Sequence, residues 1–191
     1  DTLDGGAGVD TAYYNDARSG VSVLLSIVGP QDTCAAGFDT LVSIENVVGS
    51  AYTDVLVGNE SNNRLTGGGG DDYLDGGLGV DYLVGGAGGD AFAFTTELGS
   101  RNVDRIADFT LGADGIRLGH EIFGAAGALG MLAQEAFRVG SAAADSSDRI
   151  IYNSATGALY YDPDGTGSAA QVRFATLTPG LALTAGSFII I

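Results

Sequence analysis

The sequence predicts an all-β protein whose centre is a parallel β-roll, a coil of very short strands joined by tight, glycine-rich turns. Two observations predict this fold. Gly supplies 32 of the 191 residues and Pro only 3, which indicates many tight turns. Residues 49–93 also repeat every nine residues without a gap, as GSAYTDVLV, GNESNNRLT, GGGGDDYLD, GGLGVDYLV and GGAGGDAFA. A fixed period of this kind indicates stacked units that share one core.

Each nine-residue block divides into a turn of six residues and a strand of three, and the middle strand residue faces the core. That position is always large and apolar: Leu56, Leu65, Leu74, Leu83 and Phe92. The sixth position ends the turn and reads Asp54, Asn63, Asp72, Asp81 and Asp90. Because two blocks complete one coil, the sixth positions of alternate blocks are predicted to stack along opposite edges of the roll.

The residues before the roll form two segments. Residues 1–13 contain a partial repeat, GGAGVDTAY. Residues 14–48 lose the period and are predicted to be an inserted β-hairpin segment, with GVSVLLSI and FDTLVSIENVV on either side of a turn at residues 29–32.

Residues 94–191 are predicted to be a β-rich, sandwich-like capping region. DRIIYN, ALYYD and QVRFATL have the alternating and β-branched pattern of strands, and turn residues separate them. GALGMLAQEAF is the one segment that suggests a short helix, so at most one short helix is expected.

Composition excludes several functions. The formal charge is −16 and no Lys is present, which argues against nucleic acid and against an anionic membrane surface as partners. No apolar run approaches the ~18 residues of a membrane span. The single Cys34 excludes an internal disulfide and is predicted to be a small buried residue. The sequence opens at Asp1 without Met or a signal segment, so we expect an upstream domain of the same polypeptide.

Carboxylates at this density repel one another unless a cation lies among them. A cleft between stacked turns would offer backbone carbonyls and carboxylates, an all-oxygen cage that suits Ca²⁺ better than Mg²⁺. With a Kd of ~10⁻⁴ M and ~1 mM calcium, each site would contribute about 1.4 kcal/mol. Several ions together would rival the net stability of a domain. The roll is therefore expected to be unfolded in the cytosol and folded outside the cell.

The blocks resemble the RTX repeat, Gly-Gly-x-Gly-x-Asp-x-U-x with U apolar. The chain from Val103 onward is also similar to the C-terminal region of serralysin-type metalloproteases and other RTX exoproteins, in VDRIADFTLGADGIRL, DRIIYNSATGALYYDPDGTG and VRFATL. This resemblance implies a calcium-binding, exported protein, extracellular or at the cell surface. It also implies that the ligands are the sixth-position side chains and the backbone oxygens of positions one to four.

Carried onto this chain, the implied ligands are Asp10, Asp54, Asn63, Gly67, Gly68, Gly69, Gly70, Asp72, Gly76, Gly77, Gly79, Asp81, Gly85, Gly86, Gly88 and Asp90. Asp72 is expected to share one site with Asp90 and another with Asp54, while Asp81 lies on the opposite edge with the turn at residues 58–63. Asn63 is neutral, so its site should be weaker, and the partner turn of Asp10 is left open.

Acidic residues after the roll admit two interpretations. In the similar family region, the stretch that holds Asp104, Asp108 and Asp114 closes the last calcium cleft; the alternative is capping of strands and turns. The loop at residues 162–167 has the D-x-D-G start of an EF-hand, but Arg173 stands where the twelfth-position Glu belongs. A hairpin turn stabilised by Asp side chains is therefore favoured there.

The apolar end of the chain is the remaining feature. Phe188, Ile189, Ile190 and Ile191 are predicted to form a closing strand, and the resemblance implies that they also belong to an uncleaved secretion signal read by type I secretion machinery. Ser187 stands where such signals usually carry Asp.

No catalytic residues are predicted. His120 is the single His, and neither HExxH nor G-x-S-x-G occurs. Three functions stay open: a calcium-folded secretion module of a larger exoenzyme such as a metalloprotease, the end of an RTX adhesin or surface-layer protein, and a carbohydrate-binding or carbohydrate-processing module. The last would need an exposed aromatic platform, for which Tyr13, Tyr14, Tyr160 and Tyr161 are the candidates.

Overall fold

The computed structural model describes all residues, 1–191, and its regular secondary structure is almost entirely short strands. The strands are β1 (Thr2–Asp4), β2 (Thr11–Tyr13), β3 (Ser22–Leu24), β4 (Gln31–Asp32), β5 (Phe38–Val42), β6 (Asn46–Val48), β7 (Val55–Asn59), β8 (Arg64–Gly69), β9 (Tyr73–Gly77), β10 (Tyr82–Ala87), β11 (Ala91–Phe94), β12 (Asp104–Ile106), β13 (Gly115–Leu118), β14 (Gly130–Met131), β15 (Phe137–Val139), β16 (Ile150–Asn153), β17 (Ala158–Tyr161), β18 (Val172–Thr176) and β19 (Phe188–Ile190). The single α-helix, α1, is His120–Phe123. The predicted all-β class with at most one short helix is confirmed.

Two long sheets face each other across the core. One has nine strands in the order β15-β16-β17-β18-β12-β10-β8-β6-β2, and the other has seven in the order β14-β19-β13-β11-β9-β7-β3. From β6 to β11, successive strands alternate between the sheets, and each pairs in parallel with the strand two positions later. This arrangement is the predicted parallel β-roll.

The nine-residue period sets the core of the roll. Leu56 pairs with Leu74, and Leu74 with Phe92, so partners in one sheet lie eighteen residues apart. Leu65 and Leu83 make the equivalent pair in the other sheet. All five side chains are fully buried. Burying each of them is worth roughly 1.5–3 kcal/mol, which is why the middle residue of each short strand is large and apolar.

The N-terminal coils have three walls. Strand β5 pairs in parallel with β1 and antiparallel with β4, which makes a third, three-stranded sheet. The chain passes from this sheet to the nine-stranded and then the seven-stranded sheet, and repeats that circuit before it settles into two walls. Residues 14–48, where the period is lost, supply strands to all three sheets.

The hairpin within residues 14–48 is formed by β4 and β5. Its turn lies at Cys34–Ala36, and not at residues 29–32 as predicted.

Cys34 corrects a second prediction. It is exposed, because it begins the turn between β4 and β5 and has a φ of 60°. This left-handed backbone conformation places the thiol on the surface rather than in the core.

After the roll, the two sheets continue as a sandwich-like cap. Strands β12 and β13 extend them in parallel, and β16, β17 and β18 then form an antiparallel meander. The layer between the sheets is aromatic. The ring of Phe174 packs edge-on against Phe94 and Phe123, with centroids 5.0 and 5.2 Å apart, a geometry that adds roughly 0.5–1.5 kcal/mol per pair to area burial.

The predicted helix in residues 127–137 is wrong. This segment holds β14, a 3-10 turn at Gln134–Ala136 and the start of β15. Gly127 and Gly130 have φ values of 137° and 117°, which a right-handed helix does not allow. The single α-helix instead covers the four residues that begin at His120.

The last strand lies inside the seven-stranded sheet. Strand β19 pairs in parallel with β13 and antiparallel with β14. Phe188 and Ile190 are 0% and 2% exposed, respectively, and the ring of Phe188 lies 5.3 Å from that of Phe137. The closing strand predicted for the apolar end is therefore present.

Candidate calcium sites

Sixth-position carboxylates form a column along one edge of the roll. The backbone N–H of Asp54 donates to Oδ1 of Asp72 at 2.8 Å, and the N–H of Asp72 donates to Oδ1 of Asp90 at 3.0 Å. The N–H of Asp90 continues the series to Oδ1 of Asp114 at 2.9 Å. One carboxylate oxygen in each of these coils therefore accepts the amide of the preceding coil. The second oxygen of Asp72 and Asp90 has no donor, whereas that of Asp114 accepts from the Thr110 N–H at 2.7 Å.

A second column follows the opposite edge. The N–H of Asn63 donates to Oδ1 of Asp81 at 2.7 Å, and the N–H of Asp81 donates to Oδ1 of Asp104 at 3.0 Å. The structure thus places alternate blocks on opposite edges. The Asn63 amide is occupied, since its Nδ2 donates to the Glu45 carbonyl at 2.7 Å and its Oδ1 accepts from the Asn59 N–H.

The second carboxylate oxygen of the sixth-position Asp residues indicates whether these residues fit a cation. Oδ2 of Asp72, Asp81 and Asp90 is buried and has no hydrogen-bond donor. An unsatisfied buried polar atom costs about 1–3 kcal/mol, and more when it is charged. Three equivalent orphaned oxygens on one repeat therefore indicate a partner that is not part of the chain.

The orphaned oxygens face glycine turns and backbone carbonyls. A Cβ on Gly67 would collide with Asp72 Oδ2 and lie 2.6 Å from the carbonyl oxygen of Gly85. A Cβ on Gly76 would meet Asp81 Oδ2, and one on Gly85 would meet Asp90 Oδ2. Each carboxylate thus packs directly against a glycine of the adjoining turn, and at Gly67 a backbone carbonyl oxygen lies beside it as well. We call each of these junctions a cleft, and its donors are hard oxygen atoms. Donors of this kind fit Ca²⁺.

When no cation is present, burial and mutual repulsion raise the pKa values of the sixth-position carboxyl groups. Burial, followed by repulsion from neighbouring carboxylates such as Asp54 and Asp90, raises the pKa of Asp72 to about 7. Burial and repulsion from Asp104 raise the pKa of Asp81 to about 8. Burial is likewise the main cause that raises the pKa of Asp90. A bound cation would remove this penalty because it favours the charged form.

Asp54 occupies the same column in a different environment. Its Oδ1 accepts from the Val21 N–H at 2.7 Å and from the Ser50 hydroxyl at 2.8 Å, and its Oδ2 accepts from the Ser50 N–H at 2.5 Å. Both oxygens of Asp54 already accept hydrogen bonds from the protein. A cation would therefore stabilise this first cleft of the column less than the clefts of Asp72 and Asp90.

The three Asp residues after the roll divide between two roles. Asp104 and Asp114 take the sixth-position role for the last coil, with spacings of 23 and 24 residues instead of eighteen. Asp108 differs, because its two oxygens accept from the Gly85 and Gly86 N–H groups at 3.0 and 2.9 Å. It therefore caps a turn.

The structure supplies a partner turn for Asp10. The N–H of Asp10 donates to Oε2 of Glu45 at 2.9 Å, and a Cβ on Gly5 would meet the carbonyl oxygen of Ser43. Oδ2 of Asp10 is buried without a donor, as in the ideal repeats. Sequence analysis missed Ser43 and Glu45 because no period links them to the block of Asp10. Ser43 has an unusual backbone φ of 51°, but its residue type does not reveal this conformation in the sequence.

The loop at residues 162–167 forms the predicted hairpin-type turn. Oδ1 of Asp162 accepts from the N–H groups of Gly165 and Asp164 at 2.9 and 3.3 Å. This is an Asx-stabilised turn.

Fold and clefts together define a protein built on a metal-binding parallel β-roll. The family described as the RTX calcium-binding nonapeptide repeat matches residues 1–16, 48–83 and 57–92, in four copies. The chain therefore contains RTX calcium-binding repeats in these residues, and calcium is its cofactor. The repeat itself is a calcium-binding and non-catalytic unit.

Other comparisons give little more. No curated protein sequence matches the chain. Among solved structures, the chain is similar to the extracellular lipase LipA from Serratia marcescens, with 15% identity and a TM-score of 0.35 over 100% of this chain and 34% of the lipase. The chain thus spans about a third of the length of that protein. None of its helices is long and apolar enough to cross a membrane.

Proposed function

We propose that this chain is a calcium-binding module that folds when it reaches extracellular calcium and that forms part of a larger exported protein. One observation supports the proposal above all others. Asp72, Asp81 and Asp90 each bury a carboxylate oxygen without a donor, packed against a glycine of the adjoining turn where any side chain would collide with it. The RTX repeat found in the same residues is a calcium-binding unit.

The proposed ligands are sixth-position side chains and backbone oxygens of the adjoining turns. Asp72, Asp81 and Asp90 are the central ligands because of their orphaned oxygens. Asp104 would complete the last cleft on its edge, and Asp10 with Glu45 would form a further one. Asp114 would complete the other edge more weakly, since both of its oxygens already have protein donors. Asp54 and Asn63 would bind more weakly, since their oxygens already have protein donors. The remaining proposed ligands are the backbone oxygens of Gly67, Gly68, Gly69, Gly70, Gly76, Gly77, Gly79, Gly85, Gly86 and Gly88.

Calcium would act as the switch for folding. The formal charge of −16 opposes the compact state, and the buried carboxylates add to that opposition. At cytosolic calcium, far below a Kd of ~10⁻⁴ M, binding contributes about nothing, whereas at ~1 mM each site contributes about 1.4 kcal/mol. The chain would therefore stay unfolded until export and then fold at the cell surface or outside the cell.

Calcium-dependent folding is tested by far-UV circular dichroism of the chain, titrated from chelator to ~10 mM calcium with magnesium as the control ion. The expected result is a cooperative rise of the β signal with calcium alone. Asp72→Asn should move the midpoint to higher calcium, and Asp16→Asn, at an exposed position outside the columns, should not. A folded spectrum in chelator that calcium leaves unchanged would reject the proposal.

The C-terminal residues Phe188–Ile191 are proposed to belong to a type I secretion signal. Their apolar character supports this role. Because Phe188 and Ile190 are buried in the folded chain, the secretion machinery would have to bind this segment before the chain folds. The upstream domain of the same polypeptide would then be the exported cargo, such as a metalloprotease or another exoenzyme.

The alternatives differ in what supports them. An RTX adhesin or surface-layer protein would use the same clefts and would be distinguished by long tandem repeats upstream. A carbohydrate-binding or carbohydrate-processing module has less support, because Tyr14 and Tyr161 are buried at 6% and 8% exposure and only Tyr13, at 67%, is largely exposed. We propose no catalytic role for this chain, since the buried carboxylates are accounted for by calcium.

A further inference from the structure

The second residue of each repeat divides the turns of the roll into two kinds. In four turns this residue is a glycine with a φ in the left-handed region: Gly6 at 77°, Gly68 at 113°, Gly77 at 86° and Gly86 at 102°. In the other two turns it is Ser50 or Asn59, and neither of these has a positive φ. We call the first kind open turns (residues 5–10, 67–72, 76–81 and 85–90) and the second kind closed turns (residues 49–54 and 58–63).

The same division separates the sixth-position side chains. In every open turn the sixth residue has a buried Oδ2 without a hydrogen-bond donor: Asp10, Asp72, Asp81 and Asp90. Neither closed turn has such an atom on its sixth residue, Asp54 or Asn63. Because Asp54 is a carboxylate in the same column as Asp72 and Asp90, the presence of an acidic side chain does not decide whether an oxygen stays free.

In the closed turns, the N–H of the second residue satisfies that oxygen. The Ser50 N–H donates to Oδ2 of Asp54 at 2.5 Å, and the Ser50 hydroxyl donates to Oδ1 at 2.8 Å. The Asn59 N–H donates to Oδ1 of Asn63 at 2.8 Å, the atom that a Cβ on Gly58 would meet. The side-chain oxygen next to the first glycine of each closed turn therefore already has a donor from the same turn.

In the open turns, this N–H is directed elsewhere. The Gly77 N–H donates to Oδ1 of Asp75 at 3.0 Å, and the Gly86 N–H donates to Oδ2 of Asp108 at 2.9 Å. A left-handed φ at the second residue reorients the peptide group that carries its N–H, and glycine adopts this conformation without the steric cost that other residues incur. Residue type at position two thus determines where the N–H points.

We propose that the second residue of each repeat determines which repeats take calcium. Glycine leaves the sixth-position oxygen to the cation, whereas Ser50 and Asn59 supply it with a donor, so the two closed turns stay without calcium at concentrations that fill the others. The inference rests on the proposed calcium function and assigns its selectivity among repeats. Residues 49–66 would therefore join the three-walled coils to the calcium-binding coils without an ion of their own.

Ser50→Gly combined with Tyr52→Gly tests this by opening a closed turn. The double variant has glycine at positions two and four, as all four open turns do, and keeps Asp54 at position six. Isothermal titration calorimetry of the whole chain counts the bound ions, and circular dichroism during a calcium titration follows folding. We expect one ion more than in wild type and a steeper folding transition, because a further binding event is coupled to folding.

Ala51→Gly combined with Thr53→Gly is the matched control. It adds two glycines to the same turn, at positions three and five, and so has a similar effect on the entropy of the unfolded chain. It leaves the Ser50 N–H on Asp54, so it should bind the same number of ions as wild type.

A second pair of variants tests the native turns and does not depend on the glycine variants. Asp54→Asn should bind as many ions as wild type, because its cleft takes none; the sixth position of the other closed turn, Asn63, already carries Asn. Asp90→Asn makes the same change in an open turn of the same column and should bind one ion fewer.

Three results would each overturn the inference: an unchanged ion count in the folded Ser50→Gly/Tyr52→Gly variant, an additional ion in the Ala51→Gly/Thr53→Gly control, or an ion lost from Asp54→Asn. If the first variant does not fold in calcium, the ion counts of Asp54→Asn and Asp90→Asn decide. A wild-type chain that binds no calcium would instead reject the proposed function itself, so the two failures are distinguishable.

Discussion

Gly67→Ala and Gly69→Ala form a matched pair that tests whether the clefts hold calcium. Both glycines lie in β8, and neither has a φ in the left-handed region, so the backbone accepts Ala at both. The Cβ of Gly67→Ala would enter the cleft, against Asp72 Oδ2 and 2.6 Å from the Gly85 carbonyl oxygen. The Cβ of Gly69→Ala would make an ordinary contact of 3.6 Å with the carbonyl oxygen of Ala51.

The expected loss follows from linkage. One ion at ten times its Kd stabilises the fold by about 1.4 kcal/mol, and at a hundred times by about 2.7 kcal/mol. For a chain of this length, 1 kcal/mol corresponds to roughly 2–4 °C in Tm. Gly67→Ala should therefore lose roughly 3–6 °C of the calcium-induced rise in Tm at ten times Kd. Gly→Ala also lowers the entropy of the unfolded chain, but this effect is common to both variants and cancels in the comparison.

The assay is thermal unfolding of both variants and wild type at several calcium concentrations, together with the number of ions bound by isothermal titration calorimetry. Gly67→Ala should bind one ion fewer and show a shallower dependence of Tm on calcium, whereas Gly69→Ala should follow wild type. Equal calcium dependence in the two variants would refute the assignment of the cleft, because the two methyl groups differ mainly in whether they enter it.

Two further predictions concern pH and the last strand. In chelator, the folded fraction should be highest near pH 4 and should fall as pH rises to about 8. Burial raises the folded-state pKa of Asp72 to about 7 and of Asp81 to about 8, so the stability that these protons add is lost as pH passes those values. The β signal of circular dichroism in chelator measures this fraction, and a signal that rises with pH would contradict the prediction. In saturating calcium, Phe188→Ala should lower the unfolding free energy by about 3–5 kcal/mol, because the ring is fully buried against Phe137. Urea denaturation measures this loss. Ile189→Ala, at a half-buried position of the same strand, should cost clearly less, and equal losses would argue against the strand register.

The roll could be predicted because its determinants are local and periodic. A nine-residue period places Leu56, Leu74 and Phe92 in one ladder and brings Asp72 next to Asp90. The core position, the alternation of edges and the main carboxylates follow from that period alone. The same holds for the hairpin of β16 and β17, whose turn chemistry lies within a few residues.

Other features depend on contacts that no local pattern records. Glu45 meets Asp10 across thirty-five residues of chain, and the third wall at β1, β4 and β5 arises where the period is absent. Asp54 holds the same sixth position as Asp72, yet the serine at position 50 supplies both of its oxygens with donors. The failed helix at residues 127–137 shows the opposite error, in which favourable residue types outweighed two glycines whose backbone conformation excludes a helix.

The alternation of strands between two sheets limits how such a roll can change its length in evolution. Removing eighteen residues deletes one coil and leaves every later strand in its own sheet and every later carboxylate on its own edge. Removing nine residues would send all later strands to the opposite sheet, and the C-terminal cap would have to join the roll the other way round. Lengthening and shortening should therefore proceed by pairs of repeats, while single-repeat changes should be eliminated by selection.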